Sequence, residues 1–348
     1  MSSPSCALRG GGFARLTLGA LAAVALLLAV MSMPAAARPL GHNGEIAFGR
    51  YDPFFDDTVP YTINPDGTHE QQVVHLPFEA PHFSPDGMRL AACCGVSGAT
   101  HGAAAVLDPD SHTVRAILPQ PDPENLDAYC TVWSPDGARL ACEAFGTASD
   151  PSRTGIYTIR SSDGGGLRRL TSAPGGDDHP GDYSPDGRRL AIVRDGASCF
   201  RCVYVVNANG TGLHPVTSPS DGVVSSDPSW SPRGNMLVFS VLATPDVHSS
   251  LWVVHSDGSD LHEIHVQVAP GQYECGAPKA DPTAGGCFAP SWSPDGKKIV
   301  FGRGGDTLGR NIFTVNADGS GLFQVTHGGV SQLNNDPYDW GTHPLATG

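Results

Sequence analysis

Charge is scarce in this sequence, and positive charge most of all. Only 16% of the 348 residues are charged, with 21 Lys and Arg against 35 Asp and Glu, a formal net charge of −14. So acidic a surface repels phosphate backbones, which excludes nucleic acid as a partner. Beyond the first 37 residues no long apolar run occurs, so no membrane span is expected there. Catalytic signatures are missing too. No Gly-rich loop ends in Gly-Lys-Ser/Thr, and Gly95-Val-Ser-Gly98 fails as a nucleophile elbow at its second glycine. His262-Glu-Ile-His265 is one residue too tight for a zinc-binding helix.

Glycine (43) and proline (30) are abundant. That composition suits many short strands joined by turns and argues against long helices.

The N-terminus reads as an export signal. Arg9 and Arg15 precede an apolar run from Leu16 to Val30, and Pro34-Ala-Ala-Ala37 offers small residues before Arg38. Residues 1–37 are read as a signal peptide cut after Ala37, placing the protein in the periplasm or outside the cell. The rival is a retained anchor, for which the apolar run falls short of the roughly 20 residues a spanning helix needs. Cleavage removes two Arg and no acid, moving the net charge from −14 to −16, and takes Cys6 with it.

Residues 38–348 carry a repeat. An aromatic-Ser-Pro-Asp-Gly stretch occurs at Phe83–Gly87, Trp133–Gly137, Tyr183–Gly187 and Trp292–Gly296, with Trp230–Gly234 reading Trp-Ser-Pro-Arg-Gly. The spacing is roughly 50 residues, the signature of a repeat architecture. Proline presets φ for the first turn position and glycine takes the left-handed slot, a registration that sets Ser opposite the residue after Gly. An apolar strand follows each turn, such as Arg139-Leu-Ala-Cys142 or Arg189-Leu-Ala-Ile-Val193. A third strand comes next, such as Gly155–Ile159 or Ser250–Val254. Asp163-Gly164, Asn209-Gly210, Asp257-Gly258 and Asp318-Gly319 then mark a second hairpin.

Four antiparallel strands per unit, repeated radially, predict an all-β, six-bladed β-propeller. A degenerate sixth motif near 336–341 supplies one innermost strand. The strand near 45–51 and the segment 61–74 complete that blade, so strands from both ends close the ring and leave no exposed edge.

The aromatic-Ser-Pro-Asp-Gly hairpin, together with Asp163–Thr171 and Asp318–Thr326, resembles the WD40-like repeat of TolB-type periplasmic propellers. The resemblance covers about residues 44–342. It implies a protein-binding platform. TolB itself carries an α/β domain ahead of its propeller, and this chain has no room for one. The envelope-assembly role of TolB is therefore not carried over.

The two kinds of short turn share one face of such a propeller. The variable loops share the other, including the segments Ala116–Asp127 and His262–Phe288. Binding is expected on that loop face. Residues placed just before the innermost strands should ring the channel mouth there: His82, Asp127, Asp178, His179, Asp227 and Asp336. Acids with two histidines suit a basic peptide or a calcium-like divalent cation, although Asp before Pro also favours a turn with no ligand. Cys199 and Cys202 are read as a clip in a hairpin, and Cys275 and Cys287 as bracketing an insert. Cys130 and Cys142 face one another in the hairpin register. Cys93 and Cys94 are left over, with a link from either to Cys130 as an alternative.

The function these features point to is an exported, non-catalytic, monomeric propeller that binds a protein or peptide partner through its loop face and channel mouth, without a cofactor. The alternative is a sugar lyase or lactonase-type hydrolase with a metal at the channel.

Overall fold

The computed structural model describes residues 40–94, 102–119, 121–122, 126–147, 149–173, 175–242, 248–266, 275, 286–305, 309–327 and 335–345. Their strands form six four-stranded antiparallel sheets, the blades of a propeller. Blade 2 shows the plan. Its strands run Leu126–Trp133, Arg139–Gly146, Gly155–Arg160 and Arg168–Arg169 from the axis outward. The innermost strands of blades 1 and 3 to 6 are Glu79–Phe83, Asp177–Tyr183, Ser225–Trp230, Gly286–Trp292 and Asn335–Trp340.

The repeated turn is a closed hydrogen-bond unit. In blade 2 the Ser134 Oγ donates to Asp136 at 2.6 Å and accepts from the Arg139 amide at 2.9 Å, while Asp136 also accepts from the Ala138 amide. Gly137 takes φ +68° at the left-handed step. The same unit recurs at Ser84, Ser184 and Ser293. The turn sets Ser134 opposite Arg139, one residue beyond the expected register. Cys130 nevertheless faces Cys142, because a bulge at Thr131 shifts the ladder back by one.

That bulge is general. Every innermost strand slips register near its middle. In blades 1, 3, 4, 5 and 6 a proline sits at or beside the slip: Pro81, Pro180, Pro228, Pro290 and Pro337. Proline offers no N–H to a ladder and is tolerated where a bulge interrupts it.

The apolar residues collect between blades rather than within them. Alternate residues of one strand serve the two interfaces: Leu90 packs towards blade 6 with Ala47 and Val73, while Ala91 packs towards blade 2 with Leu126 and Leu140. Six such clusters lie one at each blade junction. The arginine that follows a turn often covers the next blade's aromatic, as Arg89 lies 4.9 Å from the Trp133 ring and Arg189 4.7 Å from Trp230.

Blade 6 is shared by the two ends of the described chain. Asn335–Trp340 pairs with Ile46–Asp52, which pairs with Asp57–Ile63 and then Gln71–Gln72. Asp339 then accepts the Phe83 amide of blade 1 at 2.9 Å. No helix among the described residues is long and apolar enough to cross a membrane.

Three expectations need correction. Ala116–Pro119 is not loop but part of the outermost strand Thr113–Pro119, and Leu126 and Asp127 begin the next innermost strand. Likewise His262–Glu263 and Gly286–Phe288 belong to strands, while 267–274 and 276–285 lie outside the described residues. Cys93 pairs with Cys94 rather than with Cys130, which is taken by Cys142.

Candidate functional site

The six innermost strands enclose one cavity of about 500 Å³ on the propeller axis. Pro85, Pro135, Pro185, Pro232 and Pro294 line it from the turn face; Cys94, Phe145 and Arg201 line it towards the loop face. It is a channel with two chemically different ends.

The bulges decide which side chains face it. Of the six expected residues, His82, His179 and Asp227 line the cavity, whereas Asp127, Asp178 and Asp336 do not. These residues lie within the innermost strands, not ahead of them, and at different distances from the terminal aromatic. Successive strand residues point to opposite sides, so counting to a polar residue without fixing its step mixes orientations. Asp178 is fully buried, held by Arg194 through two contacts of 2.6 and 2.7 Å and by the Thr171 hydroxyl. It is a structural ion pair joining two strands of blade 3. Asp127 accepts the Tyr129 hydroxyl at 2.8 Å. Asp336 pairs with Arg310 at 3.1 Å, yet burial raises its carboxyl above the ordinary range, against the pull of Arg310 and with the Asp227 charge adding to the rise.

His179 stands between two blades. Its Nδ1 is 2.8 Å from Glu143 on blade 2, and its Nε2 is 3.4 Å from Asp195 on its own blade. The hydrogen bond to Glu143 raises the imidazole above its usual value, with burial opposing. Asp195 also accepts the Arg201 amide at 2.8 Å. His82 donates Nδ1–H to the Ala80 carbonyl at 2.9 Å, so its ring is oriented by its own strand.

Glu79 is the residue that sequence reading missed. It lines the cavity beside Asp57 of blade 6, and burial together with a shared hydrogen bond to Asp57 pushes its carboxyl up to about 7. Two acids 22 positions apart on different blades carry no common motif, so only the ring closure reveals the pair. Burial, with the Asp127 hydrogen bond, pushes the Tyr129 hydroxyl up to about 12; Tyr338, also in the cavity wall, is raised by burial and by the charges of Asp336, Glu79 and Asp227.

The wall is therefore acidic. Glu79 and Asp227 make no ion pair with a basic side chain among the described residues: Asp227 accepts hydroxyls from Ser226 and Ser240. Asp182 and Asp339, also in the wall, accept the amides of Trp230 and Phe83 and tie neighbouring blades. No group of three or more His, Cys, Asp or Glu side chains among the described residues is arranged to hold a metal ion.

On the loop face, Phe54 and Phe200 are 78% and 68% exposed. Phe200 sits at the tip of a hairpin whose Cys199 and Cys202 are paired.

Comparison with solved structures places the fold among known propellers. TolB from Acinetobacter baumannii is 18% identical, with a TM-score of 0.60 over 92% of this chain and 71% of that one. A putative TolB from Agrobacterium tumefaciens is 19% identical, with a TM-score of 0.58 over 84% of this chain and 99% of that one. An oligogalacturonate lyase in complex with manganese shares the fold at 15% identity and a TM-score of 0.53, over 84% of this chain and 75% of that one. An uncharacterized protein of Agrobacterium fabrum, Atu1656, is 28% identical over 187 residues, 52% of this chain, which spans 56% of that relative's length. The model of the TolB beta propeller domain matches residues 68–279, more than half the sequence and four of the five turn motifs. On that matched span the chain belongs to the TolB beta propeller domain family.

Proposed function

We propose that this propeller is an exported, non-catalytic binding module that takes a protein or peptide partner on its loop face and seats a cationic group of that partner in the channel mouth. The observation that carries the reading is the channel wall. Glu79 and Asp227 project into a cavity of about 500 Å³ without a basic partner among the described residues. Glu79 is half-buried, where a carboxylate lacking a counter-charge is costly and a ligand ammonium or guanidinium relieves that cost, while Asp227 is exposed in the wall and open to the same contact. Phe200, held at a cross-linked hairpin tip, adds exposed apolar area on the same face. Export is supported by the paired cysteines, which persist in oxidising compartments.

The test uses a short lysine-rich peptide and its fully acetylated counterpart. Binding is followed through tryptophan fluorescence, since Trp133, Trp230, Trp292 and Trp340 all line the cavity. The lysine peptide should bind more tightly, more weakly at high salt, and lose affinity by about tenfold in the Asp227→Asn variant, the size of one charge-assisted hydrogen bond. Equal binding of both peptides, or none by either, would refute the cation-seating role.

A further inference from the structure

Among the described cysteines, seven are buried and one is not. Cys94 alone is partly exposed, and it lines the channel together with Cys93. The other pairs have evident structural work. Cys130–Cys142 crosses two strands inside the blade 1–blade 2 core, Cys275–Cys287 ties residue 275 to the innermost strand of blade 5, and Cys199–Cys202 closes a hairpin tip.

Cys93–Cys94 does none of these things. A cross-link stabilises chiefly by removing freedom from the unfolded chain, and the gain grows with the loop it closes. Here the sequence separation is 1, against 12 for two of the others. A ring that constrains a single peptide unit removes almost nothing. Cys94 also takes φ +62°, a left-handed backbone that costs any residue with a Cβ. Fold stability therefore does not account for the pair, whereas accessibility and position do suggest a use. Cys93 stands opposite Glu79 in the strand register, so the pair forms part of the wall around the channel's acidic group.

We infer that Cys93–Cys94 is a reversible redox site: a vicinal disulfide at the channel mouth that is reduced by dithiols while the other cross-links persist. The thiolate of a dithiol reductant attacks the sulfur of the partly exposed Cys94, the Cys93–Cys94 bond breaks, and Cys93 leaves as a thiolate that takes up a proton. The reductant's second thiol then attacks the mixed disulfide, releasing Cys94 as a thiol and leaving the reductant as its own disulfide. Two electrons pass from the dithiol to the pair. The product is two adjacent thiols facing the channel, a chelate suited to soft, thiophilic species such as trivalent arsenicals. The inference concerns the chemistry of the wall and stands whatever partner occupies the channel.

The experiment titrates the folded, full-length protein with dithiothreitol, labels free thiols with a maleimide, and maps the labelled peptides. Two labels should appear on the Cys93–Cys94 peptide at reductant concentrations that leave the other three pairs closed. Phenylarsine oxide should then bind one per chain, and binding should be lost in both Cys93→Ser and Cys94→Ser, since a single thiol cannot chelate. The double variant C93S/C94S should melt as the parent does, whereas C130S/C142S should melt several degrees lower. The inference is overturned if mapping links Cys93 or Cys94 to Cys130, if both are free thiols in protein never exposed to reductant, or if Cys199–Cys202 opens first. The parent protein alone suffices for each of those readings, so a variant that fails to fold does not obscure them.

Discussion

Replacing Glu79 with glutamine should stabilise the protein at pH 8 and leave it unchanged at pH 4. Burial and the neighbouring Asp57 push the Glu79 carboxyl from an ordinary 4.5 to about 7. Between those values the native state holds a proton that the unfolded chain has released, so stability falls as pH rises through the window and stays lowered above it. At about 1.36 kcal/mol per pH unit the full difference would approach ~3.4 kcal/mol. Glu79 is only partly buried, and solvent screening reduces the expected effect to ~1–2 kcal/mol. Glutamine keeps the shape and removes the charge. Urea unfolding at half-unit steps from pH 4 to pH 8 reads the difference directly, as a parent curve that declines across the window beside a flatter variant. Asp57→Asn should recover part of the same gain, and the double variant should gain less than the sum. An E79Q protein no more stable than the parent at pH 8, or one stabilised equally at pH 4, would refute the reasoning.

Asp339→Ala removes the acceptor for the Phe83 amide at the junction of blades 6 and 1. It should cost ~1–3 kcal/mol in urea unfolding, with Asp339→Asn retaining most of the stability; an unchanged midpoint for the alanine variant would show the tie to be dispensable. Glu143→Gln should bring the His179 midpoint down towards 6.5, as followed by NMR of its ring protons. Because Glu143 favours the charged imidazole, its contribution is complete below 6.5 and lost as pH rises through the raised native value, so the variant should be less stable than the parent at pH 5 and equal to it at pH 9. A His179 midpoint that does not move would contradict the assignment.

The blades were legible because their turns are local. Ser-Pro-Asp-Gly supplies its own hydrogen-bond partners within six residues, as Ser134, Asp136 and Arg139 show, and a self-contained unit reads the same from sequence as in space. The sixth blade was legible through what it lacked: a motif truncated after Trp340 needs a strand from elsewhere, and Ile46–Asp52 provides it. The channel wall was not legible in the same way. Which residue faces the axis depends on a bulge near the middle of each innermost strand, and the slip sends His179 into the channel while Asp178, one step earlier, is buried against Arg194. Glu79 beside Asp57 and His179 beside Glu143 are contacts between blades, set by the radial packing and not by any spacing. The hairpin pair Cys130–Cys142 came out of a register that was one residue off at the turn, and the bulge at Thr131 corrected it.

The blade assembled from both ends also sets an order of events. The strand Ile46–Asp52 is made first, but its partner on the axis side, Asn335–Trp340, is made last, and Trp340 donates its indole N–H to the carbonyl of Gly44 across 296 positions. During synthesis, blades 1 to 5 can each complete their own hairpins while that first strand keeps an unpaired edge. Such an edge is a template for association with other chains, and contacts this distant in sequence are slow to form. The ring thus cannot close until Asn335–Trp340 has been made, and a chain shortened before residue 335 would leave the axis-side edge of Ile46–Asp52 unpaired, an open seam between the two flanking blades.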